Sequence, residues 1–321
     1  MKDLASRNVG LDLVHATEAA ALAAGRWMGL GKIDEADHDA TEAMYQALQS
    51  LELDGYVVIG EEGKLGLHSP LDSGQRVGSG HGPSIDLVVD PIDGRRFLAQ
   101  GRPGAIAVAA VAPRGSLWSP AAGVYMDKLV VNRDVAHALM AECLDAPAAW
   151  TLALVARLKK KEVRDLVVFL LDRPRHVDLI EEIRRAGARV MLRSDGDIAG
   201  ALLAASPNSG VDLLMGVGGL NEGVIAACAV RAMGGAMLGR LAPQSDAERA
   251  TVEAAGLDVK TILTSEDLVA SDQIFCTVTG ITDGPLLSGV RYQASHAETQ
   301  SLILRCDSGS RRVMYAEHVI S

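Results

Sequence analysis

The 321-residue chain has only four cysteines, and Cys143, Cys228, Cys276 and Cys306 are scattered without a C-x-x-C pair. Neither a zinc knuckle nor a disulfide framework is built that way, so the four are expected to be reduced core thiols. An excess of positive charge is missing too: 31 Lys and Arg stand against 41 Asp and Glu, a formal net charge of −10. A protein that tracks nucleic-acid phosphates needs a basic stripe to displace counterions, and nucleic acid is excluded as a partner. Only Lys159-Lys160-Lys161 is locally basic, and it reads as a solvated helix face. Long hydrophobic runs are absent. Ala105 to Ala112, among the longest, falls far short of the ~20 residues that cross a bilayer, and the opening MKDLASRNVG lacks the apolar segment of a signal peptide. A cytoplasmic protein with no membrane partner is expected. Internal repeats and low-complexity stretches are lacking. With 48% hydrophobic and 22% charged residues, the composition is that of a globular protein, which excludes a disordered tail, a collagen or a coiled-coil rod.

What is present suggests about two domains, at roughly 150 residues each. Leu11 to Met28 is rich in Ala and Leu and stops at Gly29 and Gly31, so it predicts a helix with Leu11, Val14 and Leu22 on one face. Glu18 falls on that face and is either paired inside the protein or partly exposed. A second helix is expected to start at Asp37 or Asp39, either of which can cap it, and to end at Asp54-Gly55. Short β-branched strands follow at Tyr56 to Ile59, at Ile85 to Val89 and at Ala105 to Ala112. The first two deliver acidic loops, Gly60-Glu61-Glu62-Gly63 and Asp90-Pro91-Ile92-Asp93-Gly94.

Beyond about Val155 strands alternate with helices: Leu166 to Leu171, a helix from His176 to Ala186, Arg189 to Leu192, Ile198 to Ala205, Val211 to Met215, and a helix from Glu222 to Met233. That alternation predicts a parallel sheet covered by helices. The division is placed at 1–155 and 156–321, with Asp145-Ala146-Pro147 as its turn signal. The closing strands, within 274–315, are open between the two sheets, with a return to the first as one option.

Asp90-Pro91-Ile92-Asp93-Gly94 carries the most chemistry. Pro91 fixes its φ after a buried strand, so both carboxylates can turn toward one point, as a hard oxygen-seeking cation requires. The same residues also make a plain turn, and on the loop alone the two readings are even. Gly216-Val217-Gly218-Gly219 suggests dinucleotide binding, but Asn221 stands where the third glycine belongs, and that reading is set aside.

IGEE at 59–62, VVDPIDG at 88–94, GAIAVAAVAPRG at 104–115, YMDKLVV at 125–131, RPRH at 173–176, DGDIA at 195–199 and GVGGLNEGVIAACAVRAMGG at 216–235 resemble, in order and spacing, the class II fructose-1,6-bisphosphatases. These belong to the lithium-sensitive, metal-dependent sugar and inositol phosphatase superfamily. The resemblance implies an α/β (α+β) fold, a layered α-β-α-β-α sandwich, and release of phosphate from C1 of fructose 1,6-bisphosphate or of sedoheptulose 1,7-bisphosphate, in gluconeogenesis or carbon fixation. It implies metal-binding carboxylates at Asp37, Glu61, Asp90, Asp93 and Glu222, with Glu61, Asp90 and Asp93 catalytic and Mg²⁺ or Mn²⁺ as cofactor. Clustered carboxylates repel one another unless cations neutralise them, which agrees. Sugar-phosphate contacts are implied at Gly94, Arg95, Tyr125, Arg173, Arg175, Asp195 and Asp197. His176 is either a phosphate contact or part of a first helical turn, with the second favoured. A symmetric homo-oligomer, dimer or tetramer, is the base-rate expectation.

Two positions depart from the family. Arg95 stands where the family has Thr, and Lys32-Ile33 where it has Asp-Lys. A guanidinium neither ligates a cation nor loses its proton, so Arg95 is expected to point outward or to engage phosphate, leaving low but metal-dependent activity that Arg95→Thr raises. The alternative is a catalytically weak or inactive paralogue that binds a sugar phosphate in a regulatory role.

Overall fold

The computed structural model describes residues 9–61, 68–120 and 123–320. Glu62 and the opening eight residues lie outside them. In chain order, α1 (Val9–Gly25) and α2 (Ile33–Gln49) precede β1 (Asp54–Ile59), β2 (Arg76–Val77), β3 (Ser84–Asp93), α3 (Arg95–Ala99) and β4 (Ile106–Pro113). There follow β5 (Tyr125–Val131), α4 (Arg133–Ala136), α5 (Glu142–Asp145), α6 (Ala148–Lys159), β6 (Val167–Leu171), α7 (Val177–Arg185) and β7 (Arg189–Arg193). Next are α8 (Asp197–Ala205), β8 (Leu213–Gly219), α9 (Leu220–Ala232), β9 (Ala236–Leu241), α10 (Asp246–Ala254), β10 (Leu263–Thr264) and α11 (Ser265–Leu268). The chain closes with β11 (Phe275–Gly280), β12 (Arg291–Tyr292), β13 (His296–Arg305) and β14 (Ser310–Val319).

Two compact units result, Met1–Leu117 with Ala270–Ser321, and Trp118–Val269. The class is α+β with two mixed sheets, one in each unit. The sequence reading places the division at 155, inside α6; the first unit instead ends at Leu117, because β5 pairs with β8 and β9. The closing strands return to unit 1, where β11 pairs with β4.

In unit 1 the described strands run β12-β13-β11-β4-β3-β1-β2, with β14 beside β13. β4 is wholly apolar up to Ala112 and lies between β3 and β11, as a strand covered on both faces must. α1 packs on β4, β11 and β13. Its orientation differs from expectation: Leu11 is exposed, while Glu18 is buried and accepts a hydrogen bond from Thr299 at 3.5 Å, with His15 3.5 Å away. Glu18 is thus paired inside. α2 begins at Ile33, four residues before Asp37, without a side-chain cap; Asp34 and Glu35 in its first turn suit the helix dipole instead. Asp37 therefore sits on the buried face rather than at the cap.

In unit 2 the order is β10-β9-β5-β8-β6-β7, with β8, β6 and β7 parallel and β5 antiparallel to β8. The lysine run is only partly a solvated face: Lys159 and Lys161 reach Asp212 Oδ1 at 2.9 and 2.7 Å, and burial of Lys159 is nearly complete. Burial pushes the Asp212 carboxyl up, but these two ammonium groups and the Val167 N–H outweigh it and hold it below its usual range. Cys143, Cys228 and Cys276 are buried, with Cys306 only half-buried.

Candidate active site

In unit 1 the acidic residues gather at the carboxyl ends of the parallel pair β1 and β3, where open α/β sheets place their chemistry. Glu61 follows β1, its backbone N–H held by Leu71 O at 3.2 Å, and is 3% exposed. β3 runs on past Val89 to Asp93, four residues further than its sequence suggests. The extension contains a bulge: Asp90 pairs with Val108 and Asp93 with Ile106, three steps on one strand against two on the other. Residues three apart on a regular strand face opposite sides, and one inserted residue returns them to the same side. Pro91, which has no N–H to donate, is suited to the bulge. Asp90 and Asp93 are 3% and 4% exposed, and Asp90 Oδ1 accepts the Ile92 N–H at 3.2 Å.

Gly94 ends the bulge at φ +95° and precedes the short α3. A side chain there would meet the Ala105 backbone at 3.2 Å, so glycine is required on two counts. The turn aims Arg95 inward. Its Nη1 donates to Asp37 Oδ2 at 2.7 Å, and Asp90 and Glu61 lie within electrostatic reach of the same guanidinium. Burial works against the charge, yet Asp37, Asp90 and Glu61 outweigh it and raise the Arg95 pKa. The expectation that Arg95 points outward is corrected: buried carboxylates attract a cation more strongly than water holds it. Lys32, by contrast, is half-exposed and bonds Glu35 at 2.9 Å.

Asp37, Glu61, Asp90 and Asp93 form an all-oxygen donor set, and that chemistry fits a hard divalent cation. Asp37 is the member already engaged by Arg95. Among the described residues no three His, Cys, Asp or Glu side chains are grouped closely enough to hold a metal ion as they stand.

In unit 2 the sugar-phosphate candidates lie at the carboxyl ends of the parallel strands β6, β7 and β8, with Tyr125 beside them where β5 begins, paired with Gly219. Arg173 Nη1 bonds Ser194 O at 2.7 Å, tying the end of β6 to that of β7. Arg175 donates from Nη2 and Nε to Val217 O at 2.8 and 3.1 Å and stacks over the Tyr125 ring, 5.0 Å from its centroid. Burial draws the Arg175 guanidinium below its usual value. Asp197 opens α8 behind Gly196, with Asp195 two residues before it. Glu222 lies in the first turn of α9, its carboxylate folded back over Gly219.

Two further residues hold this edge, and the motifs assign the first of them no role. Lys128, 2% exposed, pairs with Asp197 and donates to Gly219 O at 3.1 Å. Its signal was a lysine on a strand that continues into the apolar Leu129-Val130-Val131, since a buried charge demands a partner. His176 uses both ring nitrogens, Nδ1 on Leu171 O at 2.7 Å and Nε2 accepting the Val217 N–H at 2.8 Å. It is a structural tie in a short 3-10 turn ahead of α7, as the favoured reading of it holds.

The family of glpX-encoded bacterial fructose-1,6-bisphosphatases matches residues 7–318. The chain belongs to this family. It is 37% identical over 328 residues to the class 2 fructose-1,6-bisphosphatase of Haemophilus influenzae, covering 98% of this chain and 97% of that protein. With fructose-1,6-bisphosphatase 1 class 2 of Escherichia coli K12 it shares 36% identity over 327 residues, 98% of this chain and 96% of the relative. The family is metal-dependent. Among the described residues, no helix is long and apolar enough to cross a membrane.

Proposed function

We propose that this chain hydrolyses the 1-phosphate of fructose 1,6-bisphosphate, with sedoheptulose 1,7-bisphosphate as the competing substrate and Mg²⁺ or Mn²⁺ as cofactor. The observation that carries this reading is the bulge in β3, which brings Asp90 and Asp93 to one side beside the end of β1 and Glu61. When bound, a divalent cation supplies polarisation of the phosphoryl group and lowers the pKa of a water molecule. Glu61, Asp90 and Asp93 are the residues to hold it, with Asp37 once released from Arg95. Their burial limits competition from bulk water for the cation.

Arg175, fixed by Val217 O and the Tyr125 ring, presents a positioned positive charge suited to the non-reacting phosphate. Asp195 and Asp197 are acceptors for sugar hydroxyls. Cytoplasmic location and a symmetric homo-oligomer belong to the same reading, the latter checked by light scattering.

The test is phosphate release from both sugar bisphosphates by metal-stripped protein, before and after Mg²⁺ or Mn²⁺ is restored. Release that needs the metal, with fructose 1,6-bisphosphate preferred, is expected. Arg175→Ala should weaken substrate binding by about 1.5–3 kcal/mol, the worth of a charged hydrogen bond. Metal-independent release, or none with either sugar, would sink the reading.

A further inference from the structure

The Arg95 guanidinium hydrogen-bonds a candidate metal ligand, reaching Asp37 Oδ2 at 2.7 Å. The pair is unequal in solvent access: the Arg95 side chain is 34% exposed and that of Asp37 is 3%. Asp37 is fixed on the buried face of α2, whereas the arginine reaches in from the start of α3 on a flexible stem with one flank in water. The arginine can leave and the aspartate cannot. Asp90 and Glu61 share the field of the same guanidinium, so the charge that offsets Asp37 also relieves their mutual repulsion.

A divalent cation approaching these oxygens meets a like charge already seated among its ligands. Both cannot occupy the acidic pocket at full strength, because cation and guanidinium repel at contact distance in a partly desolvated site. We propose that Arg95 is a resident counter-cation of this pocket, and that divalent metal binds by displacing it from Asp37. The inference rests on the metal reading above and adds what that reading lacks, a competitor built into the chain. Two consequences follow. The metal-free protein keeps its buried carboxylates without destabilising repulsion, and its affinity for metal is set low, so that loading responds to metal concentration.

The test is calorimetric titration of metal-stripped full-length protein with Mn²⁺, for wild type, Arg95→Gln and Arg95→Lys, with thermal unfolding of each before and after Mn²⁺. Arg95→Gln, which keeps bulk and loses charge, should bind Mn²⁺ at least about tenfold more tightly, the factor that corresponds to about 1.4 kcal/mol of lost competition. Without metal it should unfold at a lower temperature than wild type, and Mn²⁺ should raise its midpoint by the larger amount. Arg95→Lys retains the charge without the planar fork and should fall between the two; it serves as the measure if the Gln variant does not fold. Equal Mn²⁺ affinity in wild type and the variants overturns the inference while leaving the metal reading intact. Failure of all three to bind Mn²⁺ overturns the metal reading and this inference with it.

Discussion

At the scale of single residues, His176 and Lys128 show how unit 2 holds its site edge. Burial depresses the His176 pKa below the usual histidine value, and its Nε2 must stay unprotonated to accept the Val217 N–H. The sign follows: below about pH 6.5 the unfolded chain takes up a proton that the folded imidazole refuses. Stability from this residue is therefore complete above that pH and is lost as pH falls toward the depressed folded value, at up to about 1.4 kcal/mol per pH unit. Urea unfolding from pH 7.5 to 5 should show the slope in wild type and a shallower one in His176→Gln. Lys128→Met should lower stability by about 3 kcal/mol, because removing one partner leaves the largely buried Asp197 carboxylate without its cation. An unchanged denaturation midpoint would refute that. Motif reading reached Asp197 but not its partner, because only the folded strand shows which cation faces it.

At the scale of elements, the acidic loop after β3 is more ordered than its composition suggests. Asp, Pro and Gly read as a turn, yet backbone pairing to β4 continues to Asp93 through a bulge. Bulges depend on the partner strand, which local sequence does not encode. The start of α2 was misplaced for a related reason: Asp37 has good capping chemistry, but packing buries it at the second turn and the helix begins without a side-chain cap. Strand cores and glycine stops, by contrast, were legible, since β4 and β6 follow from apolar runs alone. Gly94→Ala should cost at least about 1–2 kcal/mol, from the left-handed backbone alone. The Ala105 backbone contact should add to it, and chemical denaturation would register the loss. The same substitution should also loosen Arg95 from Asp37, since the turn sets the direction of that side chain.

At the scale of the whole molecule, the α+β class came with the family resemblance, whereas element alternation predicts a parallel sheet in the second half and only β8, β6 and β7 run parallel there. The boundary was not readable. Strand β5 looks like a continuation of the first domain until its partners, β8 and β9, are known. Unit 1 is assembled from both ends of the chain, and that sets a schedule for biosynthesis. β4 needs β11 along its second edge, with Ala109 opposite Thr277, 168 residues later in the chain. A ribosome must therefore complete unit 2 while β4, apolar along nearly its whole length, still waits for its neighbour. Unpaired apolar strands are templates for aggregation, and long-range pairing is slow. Pulse-labelled hydrogen exchange during refolding should protect the amides of β6 and β8 ahead of those of β4 and β11. Nascent chains halted before Phe275 should be the ones that bind chaperones and precipitate, so the weakest moment in the life of this protein comes just before β11 is made.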